Sequence, residues 1–549
     1  MSDNLSELSG RKGLKYNLFE ELGTVAREQG TPSQEELARL ADEFLIGKAN
    51  TYGTATFYDF LKPENQGKKA YVCNGSACLC AGTQEQLEHK LKTHFDASEI
   101  GHMCCLGRCH ENSAFHMDGV NYSGKDIDRV AELVKGDGKS AETYAAAAHG
   151  TPVLTRAFEG IDQHYAHFRA LIERGREAVL QEIKDSGIRG RGGAGFPMGF
   201  KLDACKNEPG DIKFIVCNAD EGDPGAYSDR YLLEQRPHSV LFGMMMAGFV
   251  IGAETGVLYI RAEYPESVRV VAEAIEGLHR HGLLGTQIGG TAFNFDFKII
   301  QAQGAYICGE ETALLSSIEG QRPEVRVRPP YPTQRGLFNK PTVVNNVETL
   351  AALHYILTEG GAAYAKLGTD RSKGTKLVSL DSFFNKPGIY EVEMGTPLST
   401  VIDELGGGFK EPVKALHIGG PLGGLVPVER CASLSVDFEA FAKSGFLLGH
   451  ASVVSIPAGF SIAAYLEHLF DFASYESCGK CFPCRLGTRR GYELFHKART
   501  EGFKIDRELL NDLLDTLQKG SLCAHGGGIP LPVKNALEHF SEELNDLFE

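Results

Sequence analysis

A glycine-rich stretch from Arg189 to Lys201, reading RGRGGAGFPMGFK, constrains the fold of this chain more than any other segment. Its glycines allow positive φ and let successive backbone N–H groups approach a ligand closely. With Arg189, Arg191 and Lys201 beside them, such N–H groups form a cradle for a phosphate. Helical spacing before the stretch and the apolar run IKFIVC after it predict the order helix, glycine loop, strand. This is not the order of a Rossmann or Walker phosphate loop, and the stretch alone is also compatible with a flexible surface turn.

Size and charge narrow the class of protein. A chain of 549 residues is long enough for about three or four domains. Its net charge of −16 argues against nucleic acid or an anionic membrane as a partner, whereas nucleotides and flavins respond to local charge. The first residues lack the apolar segment of a signal peptide, and the longest apolar run, 239–253, is too short to span a bilayer. We therefore expect a cytoplasmic protein in which that run is a buried helix.

The cysteines fall into groups that indicate metal or redox centres. The chain has 14 cysteines, and disulfides are not expected in a cytosolic protein. The first group lies in a strand–loop–helix–strand–loop pattern, which predicts a thioredoxin-like domain. Its C-x4-C and C-x3-C pairs are wider than the C-x2-C pairs usual for zinc, so they favour a [2Fe–2S] cluster over zinc or inert cysteines. The predicted ligands are Cys73, Cys78, Cys105 and Cys109, with Cys104 as a competitor for Cys105.

The second cysteine group lies near the C-terminus, in a region whose pattern is helical. Three cysteines at C-x2-C-x2-C spacing can hold one face of a cubane, and a distant fourth cysteine closes the site. Zinc more often uses two separate C-x2-C pairs. We therefore predict a [4Fe–4S] cluster on Cys478, Cys481, Cys484 and Cys523.

Between the two cysteine groups, short apolar runs at 212–217, 256–262 and 297–303 alternate with helical segments, which predicts a Rossmann-like α/β domain. Polar residues follow the first and third of these runs, and ligands in open α/β sheets bind beyond the carboxyl ends of strands. Each acidic loop is by itself equally compatible with a solvated turn or a helix cap. Taken together, they predict a flavin and nucleotide site that includes Asn218, Asp220, Glu221, Asp223, Tyr306, Gly309, Glu310 and Glu311, with Asn345, Asn346 and Thr349 at the start of a later helix.

Five motifs occur in a fixed order: GRGGAGFPxGxK, CNADExxPG, GAYICGEETAL, RPPYP and VNNVETL. They resemble the NADH- and FMN-binding flavoprotein subunit of respiratory complex I. The resemblance is closer to the diaphorase subunits of NAD-reducing hydrogenases and NAD-dependent formate dehydrogenases. The variant NADEGDPGAYSDR, with Asp223 where the complex I subunit usually has a glutamate, is the form that we associate with this second group. The resemblance covers residues 150–549. In the N-terminal part, the C-L-G-x-C loop and TYGTATFYDF resemble the thioredoxin-like ferredoxin subunit of complex I.

The resemblance implies roles for individual residues. Around NADH it implies Phe196, Lys201, Asp223, Glu311, Arg328 and Tyr331, with the aromatic rings stacking on adenine. Two departures, Leu202 in place of a tryptophan and Ala204 in place of an aromatic residue, loosen the expected adenine contact. Carboxylates near the ribose favour NADH over NADPH, a hypothesis from charge. Around FMN the resemblance implies Gly190, Arg191, Gly192, Gly193, Lys201, Asn218, Asp220, Gly309, Glu310, Asn345, Asn346 and Thr349.

The predicted architecture is an α/β multidomain protein. A small β-grasp module, similar to the soluble-ligand-binding module of the same family, follows the α/β domain, and a helical bundle with the four-iron cluster ends the chain. The predicted boundaries are a helical region at 1–62, a thioredoxin-like [2Fe–2S] domain at 63–135, a linker at 136–152, the FMN and NADH domain at 153–370, the β-grasp module at 371–435 and the helical [4Fe–4S] domain at 436–549.

The predicted function is that of a diaphorase, in which hydride passes between NAD(H) and FMN and single electrons pass through the clusters to or from a partner subunit. No side chain is expected to act as an acid or base. The partner is expected to be a redox subunit such as a formate dehydrogenase or a hydrogenase, because the chain has no molybdenum, nickel or quinone signature. Direction, bifurcation and oligomeric state stay open. The alternatives are a non-catalytic iron–sulfur scaffold and a thioredoxin-like thiol redox protein.

Overall fold

The computed structural model describes residues 3–29, 32–136 and 138–549. The described residues form three β-sheets, of four, six and four strands, surrounded by helices. The strands are β1 Ala70–Cys73, β2 Ile100–Met103, β3 Phe115–Met117, β4 Val120–Tyr122, β5 Ala145–His149, β6 Phe214–Ala219, β7 Thr255–Ile260, β8 Asp296–Gln301, β9 Thr342–Asn346, β10 Thr375–Leu380, β11 Gly388–Glu393, β12 Val413–Ile418, β13 Gly424–Pro427 and β14 Ser452–Pro457.

The helices lie between and around these strands. The α-helices are α1 Asp3–Gly10, α2 Leu18–Gln29, α3 Gln34–Phe44, α4 Lys48–Ala55, α5 Ser76–Ala81, α6 Gln84–Leu91, α7 Val130–Leu133, α8 Ile161–His164, α9 Phe168–Arg174, α10 Arg176–Asp185, α11 Met198–Asn207, α12 Ser228–Gln235, α13 Pro237–Ile251, α14 Pro265–Arg280, α15 Glu311–Ile318, α16 Pro332–Arg335, α17 Val347–Glu359, α18 Gly361–Ala365, α19 Phe438–Lys443, α20 Ile462–Tyr475, α21 Phe482–Thr500, α22 Arg507–Gly520, α23 Ala524–Gly528, α24 Pro530–His539 and α25 Ser541–Leu544. Short 3-10 helices occur at Pro63–Asn65, Ala97–Glu99, Gly124–Arg129, Ile288–Gly290, Tyr306–Gly309, Leu337–Asn339, Val428–Ser433 and Asn545–Leu547, and a π-helix at Thr400–Leu405.

The first sheet has the strand order β2-β1-β3-β4, in which β1 is parallel to β2 and antiparallel to β3. This is the arrangement that the strand–loop–helix–strand pattern predicts. Strand β1 ends at Cys73, so the first cysteine loop begins where the strand leaves the sheet.

Helices α2, α3 and α4 come before this sheet in the sequence. They cover one face of the all-parallel sheet, which has the strand order β8-β7-β6-β9. Phe19 is fully buried, with its ring centroid 4.8 Å from that of Tyr58 and 6.4 Å from that of Tyr259 in β7. The capping box at Ser33, where the Ser33 hydroxyl accepts from the Glu36 N–H, starts α3 as the sequence predicts.

Strands β6, β7 and β8 confirm the three apolar runs of the α/β domain, and the apolar run near residue 240 is the buried helix α13. The prediction that the glycine loop leads directly into a strand is wrong, because helix α11 stands between the loop and β6. Its buried residues Met198, Leu202 and Cys205 do have helical spacing, but the helix is short and follows the glycine loop directly, so the sequence prediction did not separate it from the loop. Strand β9 is also absent from the sequence prediction, and it pairs with β6 at the edge of the parallel sheet.

The six-stranded sheet has the order β13-β12-β14-β10-β11-β5. Two of its strands come from outside the segment 371–435. Strand β5 lies within 136–152, where the sequence predicts a linker, and pairs in parallel with β11. Strand β14 lies within the segment predicted as helical and pairs with both β10 and β12.

The C-terminal helices α20 and α21 pack closely against each other. A Cβ added at Gly491 in α21 would lie 2.3 Å from the Phe470 ring, so only glycine permits this approach. Across the described residues, none of the helices combines the length and apolar character that crossing a membrane requires.

Candidate functional site

The glycine loop folds back on itself before it enters a helix. The N–H of Gly190 donates to the Phe196 carbonyl at 2.8 Å, which closes a compact turn. Gly193 and Gly195 have φ values of 125° and 60°, a region of backbone space that favours glycine. Helix α11 then begins at Met198. Backbone N–H groups at the start of a helix attract anions, so the geometry of this loop suits a phosphate.

The loop lies against the start of α17. The N–H of Arg191 donates to Thr349 Oγ1 at 2.8 Å, and a Cβ added at Gly192 would lie 3.0 Å from Asn346 Cβ. The Arg191 guanidinium is buried and points inward, where it donates to the Tyr364 hydroxyl at 3.0 Å. Arg191 therefore supports the loop through the protein interior.

The carboxyl ends of β6 and β9 meet the loop before α15. Asn218 Nδ2 donates to the Gly309 carbonyl at 2.8 Å, and a Cβ at Gly309 would lie 3.3 Å from the Asp220 carbonyl oxygen. Burial raises the pKa of Asp220 well above its usual range. Within the described part of the chain, Asp220 Oδ2 and Asn345 Nδ2 are buried without a hydrogen-bond partner. Buried polar atoms of this kind require a partner, and a flavin ring edge and ribityl chain supply both donors and acceptors.

Charged and aromatic residues form the outer rim of the same site. Lys201 Nζ donates to Glu311 Oε2 at 3.1 Å, and Arg328 Nη1 donates to Glu311 Oε1 at 3.0 Å. Phe196 and Tyr331 are 47% and 55% exposed, which is unusual for aromatic rings next to a charged cluster. Exposed rings beside a cationic rim suit a planar base attached to a phosphate.

Two predicted carboxylates act as helix caps. Glu221 accepts from the N–H of Asp229 at 2.9 Å at the start of α12. Glu310 accepts from the N–H groups of Thr312 and Ala313, both at 2.9 Å, at the start of α15. For these two side chains the structure supports the helix-cap alternative, since the same oxygens satisfy backbone donors that would otherwise lack a partner.

Asp223 lies at the junction of three segments. The Tyr306 hydroxyl donates to Asp223 Oδ1 at 2.7 Å, and His450 Nε2 lies 2.9 Å from Asp223 Oδ2. Burial alone would raise the pKa of Asp223, but His450 and the Tyr306 hydroxyl hold it below its usual value. The Tyr306 N–H donates to Glu476 at 2.9 Å, which links this loop to the segment before Cys478. Sequence reasoning did not single out His450, and no motif marks it.

The four predicted ligands of the two-iron site come together. Cys105 Sγ lies 3.4 Å from Cys109 Sγ, and the Cys73 thiol contacts those of Cys78 and Cys105. All four are buried. The N–H of Gly225, in the loop after β6, donates to Cys109 Sγ at 3.2 Å. The loop that carries Asp223 therefore also contacts a predicted cluster ligand.

Arg261 fixes the second cysteine loop to the parallel sheet. Its guanidinium donates to the carbonyls of Cys105 and Glu221, both at 2.7 Å, and to the Cys104 carbonyl at 3.1 Å. The Cys104 thiol also lies next to the predicted ligand thiols of the two-iron site, since a Cβ at Gly75 would be 3.4 Å from Cys104 Sγ. Sequence reasoning missed Arg261. The available signal was a charged residue directly after the buried run GVLYI.

The C-terminal cysteines gather at the starts of α21 and α23. Burial raises the pKa of the Cys484 thiol to about 11, with Cys481 and Cys478 as neighbouring thiols, and that of Cys523 to about 12. A Cβ at Gly526 would lie 2.7 Å from Cys484 Cβ, so glycine keeps α23 close to the cysteine loop. Four converging thiols are the ligand set that a four-iron cubane requires.

Comparisons with known proteins agree with this arrangement. Three family models match the chain: the Nuo51 FMN-binding domain at residues 183–355, the NADH-ubiquinone oxidoreductase-F iron-sulfur binding region at 464–547 and the thioredoxin-like [2Fe-2S] ferredoxin at 7–136. The NAD-reducing hydrogenase HoxS subunit alpha of Cupriavidus necator is 33% identical over 96% of this chain and 91% of its own length. A subunit of the NADH-quinone oxidoreductase of Rhizobium meliloti is 39% identical over 71% of this chain and 93% of its own length. A crystal structure of an NAD+-reducing [NiFe]-hydrogenase in the H2-reduced state aligns with a TM-score of 0.85 at 29% identity, covering 97% of this chain and 94% of the hydrogenase chain.

The fold, the sites and these matches define the class of protein, an oxidoreductase of the NADH dehydrogenase type with an FMN-binding domain, a thioredoxin-like [2Fe–2S] domain and a [4Fe–4S] region. The chain belongs to the family of the NADH-binding flavoprotein subunit of respiratory complex I, which includes the corresponding subunit of NAD-reducing hydrogenases. The predicted family, the thioredoxin-like domain and the cofactor set are thereby confirmed.

Proposed function

We propose that this chain is the NADH-facing diaphorase subunit of a larger redox complex, and that it exchanges electrons between NAD(H) and the one-electron carriers of a partner subunit. FMN supplies the chemistry that connects a hydride donor with one-electron carriers. One observation carries the proposal: the segment formed by β6 and the loop after it contacts the candidate flavin pocket, the Tyr306 loop and a predicted ligand of the two-iron cluster. Its Asn218 contacts Gly309 in the flavin pocket, its Asp223 contacts Tyr306, and its Gly225 N–H reaches Cys109.

The residues that would hold FMN surround the glycine loop and the carboxyl ends of β6 and β9. The N–H groups of the loop would hold the phosphate, and the buried unpaired groups of Asp220 and Asn345 would bind the flavin. The rest of the proposed FMN set is Gly190, Gly192, Gly193, Lys201, Asn218, Gly309, Asn346 and Thr349, with Arg191, Glu221 and Glu310 acting through the positions of the loops they support.

The residues that would hold NAD(H) form the exposed rim. Phe196 and Tyr331 would stack on the adenine, while Lys201 and Arg328 would attract the pyrophosphate. Glu311 holds both cations in place at about 3 Å. Tyr306 and Asp223 would contact the nucleotide from the opposite side of the pocket.

Two iron–sulfur clusters would carry electrons between FMN and the partner subunit. We assign the two-iron cluster to Cys73, Cys78, Cys105 and Cys109, and the four-iron cluster to Cys478, Cys481, Cys484 and Cys523. The described cysteines are all free, which fits a reduced, cytoplasmic compartment. The thiol redox alternative is disfavoured because thiol–disulfide exchange needs an accessible sulfur, and the four predicted ligand thiols of the N-terminal group are 1–2% exposed.

The domain division that we propose keeps the predicted boundaries, with two additions from the strand pairing. Residues 371–435 would form the β-grasp module, joined by β5 from the linker segment 136–152 and by β14 from the segment 436–549. The helices from α20 onward would form the bundle around the four-iron cluster.

The partner would be a subunit that carries a second active site. Relatives of this chain are named as subunits of a hydrogenase and of a quinone oxidoreductase. A hydrogenase or a formate dehydrogenase subunit would both serve as this partner, because the motifs of the chain resemble the diaphorase subunits of both.

The test is an anaerobic titration of the purified chain with NADH, followed by absorbance and low-temperature EPR. We expect flavin bleaching and two reducible signals, one of the two-iron type and one of the four-iron type. Bleaching with the four-iron signal alone would keep the diaphorase and make the N-terminal domain a docking element. Iron without flavin, or no bleaching, would favour the non-catalytic scaffold.

A further inference from the structure

We propose that His450 is a positioning residue that holds the Asp223 carboxylate in its nucleotide-binding orientation. The inference rests on the proposed function and deepens it, because it assigns part of the NAD(H) site to the six-stranded sheet. His450 lies two residues before β14, whereas Asp223 follows β6 in the parallel sheet.

The hydrogen bonds around His450 define which ring nitrogen faces Asp223. The Ser452 N–H donates to His450 Nδ1 at 3.3 Å. A neutral imidazole that accepts at Nδ1 carries its proton on Nε2. That nitrogen lies 2.9 Å from Asp223 Oδ2. The backbone of β14 therefore orients the ring and brings Nε2 close to the carboxylate, although within the described residues no partner meets hydrogen-bond geometry at Nε2.

Both oxygens of Asp223 are engaged, and by different segments. Tyr306 donates to Oδ1 at 2.7 Å from the loop before α15, and His450 approaches Oδ2 from the six-stranded sheet. A carboxylate with two anchors has one orientation, whereas one anchor permits rotation about its Cβ–Cγ bond. The Asp223 side chain is 22% exposed, so part of it remains available to a ligand.

The backbone beneath the pair is shaped for close approach. Gly420 has a φ of 85°, and a Cβ added there would lie 2.4 Å from Asp223 Oδ1 and 2.9 Å from His450 Nε2. The loop after β12 therefore reaches the pair only because residue 420 is glycine. Three separate segments converge on this one carboxylate. Holding them there costs conformational free energy, which favours a role for Asp223 in binding.

The surrounding charges keep Asp223 ionised. Arg261 favours the carboxylate, and Lys376 and Glu221 act on His450 with opposite signs. His417, on β12, faces the same carboxylate from a greater distance and contacts the Tyr465 hydroxyl instead, at 2.8 Å. His450 is the largest of the contributions that offset the burial of Asp223 and lower its pKa, so it helps to stabilise the anion as well as to orient it.

The experiment compares His450→Ala, His450→Gln and Asp223→Asn in the full chain loaded with FMN and clusters. Loss of the close contact between the ring and the charged carboxylate predicts that His450→Ala raises the KM for NADH about 10-fold, with kcat within about twofold of the unchanged chain. Glutamine, whose amide N–H can replace Nε2–H, should recover most of that loss. In the Asp223→Asn background, His450→Ala should add little, because the carboxylate that it orients is already gone.

The readout that does not depend on turnover is the Kd for NAD+ by calorimetry, which should rise by the same factor. The matched control is His417→Gln, a buried histidine of the same sheet that does not contact Asp223, and it should leave the Kd unchanged. Unchanged Kd and KM in His450→Ala, or effects of His450→Ala and Asp223→Asn that simply multiply, would overturn the inference. NAD+ binding without flavin bleaching in the unchanged chain would overturn the proposed function but leave the role of His450 standing.

Discussion

At the scale of single residues, the fold separates two adjacent cysteines. The Cys105 thiol contacts those of Cys109 and Cys73, whereas Cys104 lies beside them without such a contact to Cys109. We therefore predict that Cys105→Ser abolishes the two-iron EPR signal, while Cys104→Ser retains it. A hard serine oxygen is a poor substitute for a thiolate on iron.

Iron content and low-temperature EPR of the dithionite-reduced chain check this prediction. The four-iron signal serves as an internal control, since Cys478 and its partners lie in a different part of the fold. Loss of the two-iron signal in Cys104→Ser, with the signal intact in Cys105→Ser, would reverse the ligand assignment.

At the scale of secondary-structure elements, Asp381 joins the end of β10 to β14. It is fully buried and accepts from the Ser455 N–H, and burial raises its pKa to about 6. Because the folded-state pKa lies above that of the unfolded chain, the folded form binds the proton more tightly, and stability falls as pH rises through about 6. Between pH 5 and pH 7 this group should lower the free energy of unfolding by about 1 kcal/mol.

The measurement is chemical unfolding of the unchanged chain and of Asp381→Asn from pH 5 to pH 7. Asparagine does not titrate, so the difference in free energy of unfolding between the two chains isolates Asp381. As pH rises, the free energy of unfolding of the unchanged chain should fall relative to that of Asp381→Asn. A difference that is constant with pH, or that moves the other way, would show that burial does not control this carboxyl.

The elements also show what a single sequence can predict. Apolar runs revealed β6 and β7, because a strand buried on both faces needs continuous apolar residues, and a shorter apolar run revealed the edge strand β8. Strand β9 ends in two asparagines that belong to the candidate site, and α11 shows only three apolar positions at helical spacing directly after the glycine loop, so the sequence prediction included neither. The motif positions predicted the residues of the candidate site, and this assignment stays a prediction. The contacts that support the site could not be predicted from the sequence, because Glu221 and Glu310 cap their helices only in the folded chain.

At the scale of the whole molecule, contacts between distant segments decide how the sites are arranged. Arg261 and the carbonyl that it binds on Cys105 are separated by 156 positions in the sequence. No local pattern predicts such a pair, and the same holds for His450 and Asp223. These contacts depend on the relative placement of three sheets, which is set by packing and not by periodicity.

Arg261 is where this arrangement can be tested. It is buried and binds carbonyls of the cysteine loop and of Glu221, and Glu263 accepts from its guanidinium at 2.8 Å. Arg261→Gln would leave buried carbonyls and a carboxylate unpaired, so we predict a loss of about 3 kcal/mol in the free energy of unfolding. We also expect faster hydrogen exchange in the cysteine loop 104–109 and a broadened two-iron EPR signal, because the loop would lose its anchor on the parallel sheet.

Arg269→Gln is the matched control. Arg269 pairs with Glu273 on an exposed helix face, so this substitution should leave both readouts unchanged. Equal exchange rates in the two variants would show that the N-terminal domain is held in place by its apolar contacts alone.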